Sequence, residues 1–216
     1  NIKSKKYVKL KNNLSSVNFI YSTLKKYKID TILHLAAESH VDRSIKNPSL
    51  FLKSNIDPTI NLLIALSKYN SEIAMSQTKF IYFSTDEVFG SVSNFKKPFN
   101  LNSQFDPSSP YSASKASSGM IINSWRKTYK IPISIIYCCN NYGPFQNIEK
   151  LIPATIYRAL NNLPILVYGN GKNIRSWIHV KDTVSAVNKI LVQKDSQDYI
   201  ISSKSILTNI EVIKTI

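Results

Sequence analysis

The chain has 216 residues, a formal net charge of +15 at pH 7, and 43% hydrophobic residues. This length suits one hydrophobic core with a small additional lobe, and the composition is that of a folded globular protein. No apolar run approaches the roughly 20 residues of a membrane span, and the scattered lysines form no basic stripe interleaved with aromatics. We therefore expect neither a membrane partner nor nucleic acid. Cys138 and Cys139 lie in an apolar run, which predicts two buried thiols in a reducing cytoplasm.

Strand-like and helix-like segments alternate over residues 1–139. Short apolar runs predict buried strands, in chain order Thr31–Ala36, Lys79–Ser84 and Ile133–Cys138. Helical spacing predicts helices at Val17–Tyr27, Pro48 to about Tyr69, and Tyr111–Tyr129. Residues 91–109 are polar and contain prolines, which indicates a loop. The alternation predicts an α/β fold, with a doubly wound parallel sheet covered by helices on both faces.

Beyond Asn140 the predicted elements become shorter. They are a helix at Leu151–Leu160, strands at Ile165–Tyr168 and Ile174–Val180, a helix at Val184–Val192 and a helical segment reaching Ile216. We therefore divide the chain into a sheet domain at 1–139 and a small α+β lobe at 140–216, interleaved with the first.

Two pairs of side chains carry the candidate chemistry. Tyr111 and Lys115 are four residues apart, so both lie on one face of a helix. An ammonium beside a phenol lowers the phenol's pKa, so Tyr111 could take a hydroxyl proton while a nicotinamide takes the hydride. Asp86 and Glu87, at the end of a predicted strand, add a second acid/base couple, which elimination of water requires. The spacing indicates a redox step combined with a dehydration.

Six ordered blocks carry a resemblance to a known family. They are His34–Ser44, Ser84–Gly90, Ser109–Ser117, Asn140–Pro144, Glu149–Pro153 and Ile174–Trp177. Together they resemble the extended short-chain dehydrogenase/reductase family, and within it the nucleotide-sugar 4,6-dehydratases. The resemblance implies a Rossmann-like NAD-binding domain at 1–139 and a substrate-binding lobe at 140–216.

The resemblance also implies individual roles. Thr85 is expected to hydrogen-bond the sugar, Asp86 to protonate the leaving C6 hydroxyl and Glu87 to remove the C5 proton. Tyr111 is expected to act as base at the C4 hydroxyl, and Lys115 to bind the nicotinamide ribose and tune Tyr111. The NAD contacts implied are Asn13, Leu14, Leu35, Ala36, Ala37, Glu38, Ser54, Tyr111, Lys115 and Asn141. The substrate contacts implied are Ser39, Thr85, Asn140, Lys150, Leu151, Leu166, Val167, Tyr168, Arg175 and Asn209. No residue pattern indicates a metal site.

The sequence departs from the family at three places. Asn13-Leu14 stands where the family usually has Asp-Ile, and Tyr199–Ser203 replaces a usual Tyr-Asn-Ile-Gly-Gly. A dinucleotide fold also needs a glycine-rich turn after its first strand, and no glycine precedes Gly90. The chain is therefore expected to be either a fragment or a degenerate relative that lacks the glycine-rich turn that binds the cofactor.

The expected function is a nucleoside-diphosphate-glucose 4,6-dehydratase that uses NAD to make a 4-keto-6-deoxy sugar nucleotide, a rhamnose precursor. Thymidine and uridine nucleotides are not distinguished. The alternatives are a sugar-nucleotide epimerase or decarboxylase of the same fold, and a non-catalytic relative. The resemblance also implies a homodimer through a four-helix bundle built from Pro48–Tyr69 and Tyr111–Tyr129 of each subunit.

Overall fold

The computed structural model describes residues 7–73, 77–91, 98–167, 169–193 and 195–216. The helices are α1 Val17–Tyr27, α2 Val41–Lys46, α3 Pro48–Glu72, α4 Pro110–Tyr129, α5 Leu151–Leu160, α6 Val180–Leu191 and α7 Asn209–Thr215. The strands are β1 Thr31–His34, β2 Lys79–Thr85, β3 Ile133–Cys138, β4 Asn140–Tyr142, β5 Ile174–His179, β6 Tyr199–Ile201 and β7 Ile206–Thr208. A 3-10 turn, Asp86–Phe89, follows β2 directly.

The main sheet has four parallel strands in the order β1-β2-β3-β6. Its two faces are covered by different helices. On one face Phe80 and Tyr82 of β2 pack with α1, α3 and α4, and on the other Ile81 packs with β6 and α6. Because successive strand residues point to opposite faces, apolar residues must occupy both, as in a sheet buried on both sides. The predicted doubly wound parallel sheet is confirmed as a Rossmann-like fold.

A second, three-stranded sheet begins where the main sheet ends. Strand β4 pairs in parallel with β5, and β5 pairs antiparallel with β7. Only one residue separates β3 from β4, so the chain passes directly from the main sheet to the small one. This connection puts the side chains of the lobe next to the carboxyl ends of the main strands.

Several predicted element bounds were wrong. Strand β1 ends at His34 instead of Ala36, because its ladder with β2 stops where His34 pairs with Tyr82. Helix α6 begins at Val180, four residues before the prediction, capped by His179. Residues 165–167 form no strand, and Tyr168 lies outside the described residues. Part of the predicted loop, 92–97, also lies outside them. Elements α2, β4, β6 and β7 were not predicted.

Both cysteines are free thiols and are buried, as predicted. Burial raises the pKa of Cys138 to about 11, so this thiol stays protonated at neutral pH. Within the described ranges, no helix has the length and apolar character needed to cross a membrane. Nor does the described part of the chain bring together three or more His, Cys, Asp or Glu side chains that could hold a metal ion.

Candidate active site

A cavity of about 360 Å³ opens at the carboxyl ends of β1, β2 and β3, where open α/β sheets bind ligands. Eleven of the predicted site residues line it: Leu35, Ala37, Ser39, Thr85, Glu87, Tyr111, Lys115, Asn140, Asn141, Lys150 and Leu151. The end of β2, the segments that follow β1 and β2, and helix α4 supply the first seven of these residues, and the lobe supplies the last four. The structure therefore gathers half of the predicted cofactor and substrate residues around one space.

The 3-10 turn after β2 holds the two carboxylates. The Thr85 hydroxyl accepts a hydrogen bond from the Glu87 amide at 3.2 Å and lies 3.3 Å from Asp86 Oδ1. The turn ends at Gly90, whose φ of 95° is left-handed, and a Cβ there would lie 2.9 Å from the Asp106 carbonyl oxygen. Only glycine meets both conditions, so Gly90 is required where the chain leaves the turn that carries both carboxylates.

Asp86 and Glu87 share one cavity, but only Glu87 also lines the main one. Glu87 lines the main cavity, whereas Asp86 lines a second cavity of about 120 Å³ together with Arg175. Glu87 lines this second cavity as well, so its side chain forms the partition between the two. Both carboxylates and Arg175 therefore share the second cavity, and of the three only Glu87 also lines the main one. In a 3-10 turn successive side chains point about 120° apart, because one turn takes three residues.

The pKa of Asp86 is suited to a general acid. Burial first, and the neighbouring Glu87 carboxylate second, raise the pKa of Asp86 to about 6. The Arg175 guanidinium and the Thr85 hydroxyl oppose this rise but do not cancel it. A carboxyl group that keeps its proton to about pH 6 is suited to protonate a leaving group near neutral pH.

Tyr111 and Lys115 project from the first turns of α4. Ser109 and Ser112 form a capping box there, and the Tyr111 amide donates to Ser44 Oγ at 3.2 Å. Burial is the main cause that raises the pKa of the Tyr111 phenol, and the Glu87 carboxylate adds to it. The predicted lowering of this pKa by Lys115 is therefore wrong for these surroundings. Burial also lowers the pKa of Lys115 to about 7.

Sequence reasoning missed Asn55, which fastens the segment after β1 to the catalytic helix. Its Oδ1 accepts from the Glu38 amide at 2.8 Å, and its Nδ2 donates to the Glu38 carbonyl at 3.0 Å. The same Nδ2 also donates to Ser114 Oγ at 2.8 Å, between Tyr111 and Lys115. Asn55 is buried on α3, so a lone polar residue on the apolar face of a predicted helix was the available signal.

The segment after β1 presents its side chains outward. Leu35, Ala36, Ala37 and Ser39 are exposed although they follow a strand of the central sheet. Lys150 of the lobe reaches this segment, and its Nζ donates to the carbonyl and hydroxyl oxygens of Ser39 at 2.9 and 3.2 Å. Small exposed side chains beside the cavity leave room for a ligand to lie against the backbone.

The other predicted site residues in the described part of the chain do not line the main cavity. They are Asn13, Leu14, Ala36, Glu38, Ser54, Asp86, Leu166, Val167, Arg175 and Asn209. Asn13 is exposed and bonds to Ser15, while Leu14 packs against the core. Asn209 begins α7, where its amide donates to the Asn173 carbonyl. Their predicted roles are left as predictions.

Three buried polar atoms in the cavity wall have no hydrogen-bond partner among the described residues. They are Ser84 Oγ, Gln146 Oε1 and Trp177 Nε1. Native proteins satisfy nearly all buried polar groups, so we expect a water or a bound molecule to be the partner of these atoms. None of the three was predicted, although Ser84 occupies the end of a parallel strand, which was the signal for it.

This fold, with Tyr111 and Lys115 on one helix facing the ends of the parallel strands, defines the extended short-chain dehydrogenase/reductase class. Within that class, a family model described as GDP-mannose 4,6 dehydratase matches residues 1–215. The chain belongs to that family.

Curated relatives are dTDP-glucose 4,6-dehydratases. One from Haemophilus influenzae is 40% identical over 215 residues, which cover 98% of this chain and 64% of the relative. One from Neisseria meningitidis serogroup B is 42% identical over 194 residues, covering 88% of this chain and 55% of the relative. The chain thus spans between half and two thirds of the length of these relatives.

Solved structures agree with this assignment. DesIV, a dTDP-glucose 4,6-dehydratase from Streptomyces venezuelae with NAD bound, is 34% identical with a TM-score of 0.87, covering 94% of this chain and 61% of DesIV. A UDP-glucose 4-epimerase from Thermotoga maritima reaches a TM-score of 0.84 at 22% identity, over 95% of this chain and 65% of the epimerase. The second likeness is one of fold alone.

Proposed function

We propose that the full-length protein is an NAD-dependent dTDP-glucose 4,6-dehydratase. The observation that carries this proposal is the position of Glu87, in one cavity wall with Tyr111 and Lys115 and next to Asp86. Tyr111 and Lys115 serve oxidation and reduction, and Asp86 and Glu87 serve elimination. The thymidine nucleotide is favoured over uridine because the relatives from H. influenzae and N. meningitidis are dTDP-glucose enzymes.

The described residues fit NAD. The unpartnered Ser84 hydroxyl and the small exposed Ala37 lie in the wall of the same cavity as Tyr111 and Lys115. The cofactor contacts in the cavity are Leu35, Ala37, Tyr111, Lys115 and Asn141, with the Glu38 backbone held in place by Asn55. When bound, NAD supplies the acceptor and donor of hydride.

The chain's own groups divide the proton transfers. Tyr111 in its phenolate form, which the positive nicotinamide ring of bound NAD would favour against burial, takes the proton of the C4 hydroxyl. Transfer of the C4 hydride to NAD leaves a 4-keto group, which acidifies the C5 proton. Glu87 removes the C5 proton while Asp86 gives its proton to the departing C6 hydroxyl. Thr85 holds the two carboxylates in this arrangement through its bonds to the Glu87 amide and to Asp86. Return of the hydride from the reduced cofactor to C6, and delivery of a solvent proton through Glu87 to C5, complete the 4-keto-6-deoxy sugar nucleotide.

A labelling experiment tests this function against its alternatives. The full-length protein is incubated in deuterium oxide with NAD and either dTDP-glucose or UDP-glucose, and the products are analysed by mass spectrometry and NMR. We expect dTDP-glucose to lose one water and gain one solvent deuterium at C5. An epimerase would give an isomer of unchanged composition without C5 deuterium, a decarboxylase would lose carbon dioxide from an acidic sugar, and a non-catalytic relative would return both substrates.

We also propose that the full-length protein forms a homodimer through α3 and α4. Ile64 on α3 and Met120 on α4 support this, because their apolar side chains are 42% and 65% exposed. Met120→Asp is expected to halve the mass measured by light scattering, since a buried unpaired carboxylate is costly. Leu160→Asp, on the exposed face of α5, is the control and is expected to leave the mass unchanged. A monomeric parent protein would contradict the proposal.

We place the reaction in the cytoplasm. Cys138 and Cys139 support this, because both are free although adjacent and 5% and 4% exposed. Free thiols persist in reducing compartments, whereas oxidising ones favour disulfides. Fractionation of the source cells, followed by detection of the full-length protein, is the measurement that checks it.

A further inference from the structure

The ammonium group of Lys115 lies over an aromatic ring. Its Nζ is 4.0 Å from the centroid of the Tyr82 ring, well within the roughly 6 Å at which a cation is attracted to a ring face. Lys115 is only 2% exposed, and Tyr82 is fully buried. A cation–π contact gains strength when it is removed from water, so this one lies where it is strongest.

The ring of Tyr82 is held rigidly in this position. Tyr82 lies in the middle of β2, paired with His34 of β1 and Ile135 of β3. The centroid of the His34 ring lies 5.5 Å from that of the Tyr82 ring, and His34 Nε2 lies 3.1 Å from Thr59 Oγ1. Burial and the Lys115 charge lower the pKa of His34 to about 4, so this neighbour is neutral near pH 7.

We infer that Tyr82 is a positioning residue whose ring face keeps the Lys115 amine charged inside the cavity. The sequence does not indicate this role, because an aromatic residue in a buried strand is usually only a core side chain. The contact matters because burial alone brings the pKa of Lys115 down to about 7, where half of the amine would be uncharged. The ring face opposes that loss of charge.

Other titratable groups pack on Tyr82 or line the cavity together with Lys115. His34 of β1 packs on Tyr82 of β2, and the cavity lining adds Cys138 from β3, Tyr111 from α4, Glu87 from the 3-10 turn and Lys150 from the lobe. Burial raises the pKa of Tyr82, Tyr111 and Cys138, so these three are uncharged at neutral pH. The Tyr82 ring is distinguished by its position 4.0 Å from the Lys115 amine, where its face attracts the cation without carrying a charge.

Competitive acetylation of the full-length protein measures the Lys115 titration directly. The uncharged amine reacts with acetic anhydride, so the extent of Lys115 acetylation against pH, read by peptide mass spectrometry, gives its midpoint. Tyr82→Leu is expected to lower this midpoint by about one pH unit, the size of a desolvated cation–π contact. Tyr82→Phe keeps the ring and is expected to leave the midpoint where it is. Lys127, exposed on the same helix, is the internal reference.

A second series guards against a misfolded leucine variant. Phenylalanines carrying increasing numbers of ring fluorines at position 82 keep the ring shape while they weaken its negative face. The midpoint should fall stepwise with fluorination, and an unchanged midpoint in both the series and Tyr82→Leu would overturn the inference. A shift in Tyr82→Phe as large as in Tyr82→Leu would also overturn it, since the hydroxyl would then be responsible. The acetylation measurement does not depend on the proposed function, although any effect of Tyr82 on turnover rests on that function.

Discussion

Tyr111→Phe is expected to reduce turnover of dTDP-glucose by the full-length protein by about 10³-fold, within the range for loss of a general base. The phenol is the group that takes the C4 proton, so oxidation at C4 and every later step depend on it. Stopped-flow absorbance of the reduced nicotinamide in a single turnover measures this step. We expect its amplitude to disappear at times when the parent protein has completed the reaction.

Tyr129→Phe is the matched control for this result. It makes the same change on the same helix, at a ring that is exposed and packs against Trp125. Its turnover should equal that of the parent protein. If Tyr111→Phe oxidised C4 at the parental rate, another group would be the base and the assignment of Tyr111 would be withdrawn.

Asp86→Asn is expected to stop the reaction between oxidation and reduction. An amide cannot give a proton to the C6 hydroxyl, so product formation should fall by about 10² to 10³-fold. The C4 oxidation should continue, and reduced nicotinamide should accumulate as a stable absorbance. Asp195→Asn, at an exposed position before β6, is the control. Product formation at the parental rate in Asp86→Asn would remove Asp86 from the elimination step.

Thermal unfolding of the same variant checks that its defect is chemical. The folded Asp86 carboxyl keeps its proton to about pH 6, whereas an ordinary aspartate loses it near 3.8. Its ionisation therefore costs the folded state stability, and this cost grows from pH 3.8 to 6 and stays constant above. Asp86→Asn should raise the melting temperature at pH 8 and lose this advantage as the pH falls towards 4. A lower melting temperature at pH 8 would mean that the variant is damaged structurally.

The sequence predicted the main sheet because its signals are local. A buried parallel strand is a continuous apolar run, and Ile133–Cys138 has the bounds in the structure that the sequence predicted. Strands β4, β6 and β7 have three residues each and exist only through pairing with distant segments. A run such as Asn140–Tyr142 has no apolar pattern of its own, so the sequence contains no signal for it.

The site was predicted as a set of residues but not as a geometry. Spacing along α4 placed Tyr111 and Lys115 together, because a helix fixes which residues are neighbours. Adjacency could not show that Glu87 lines the main cavity while Asp86 does not, since this depends on how the 3-10 turn directs each side chain. The ionisation of Tyr111 also depends on burial, which comes from the packing of the whole domain, and spacing alone therefore gave the wrong direction for its pKa.

Side-chain hydrogen bonds fix the first turn of α4, so this turn loses its conformational entropy when the chain folds. Helix ends normally fray because their first amides lack partners, but here Ser109 and Ser44 occupy the amides of Ser112 and Tyr111. At the other end of the helix, Arg126 forms a bidentate ion pair with Asp198, whose carboxylate also accepts from the Ile135 amide of β3. The backbone that bears Tyr111 and Lys115 is thus immobilised when the chain folds. Little of its freedom remains to be lost at the moment of reaction, which is the condition for a near-attack geometry.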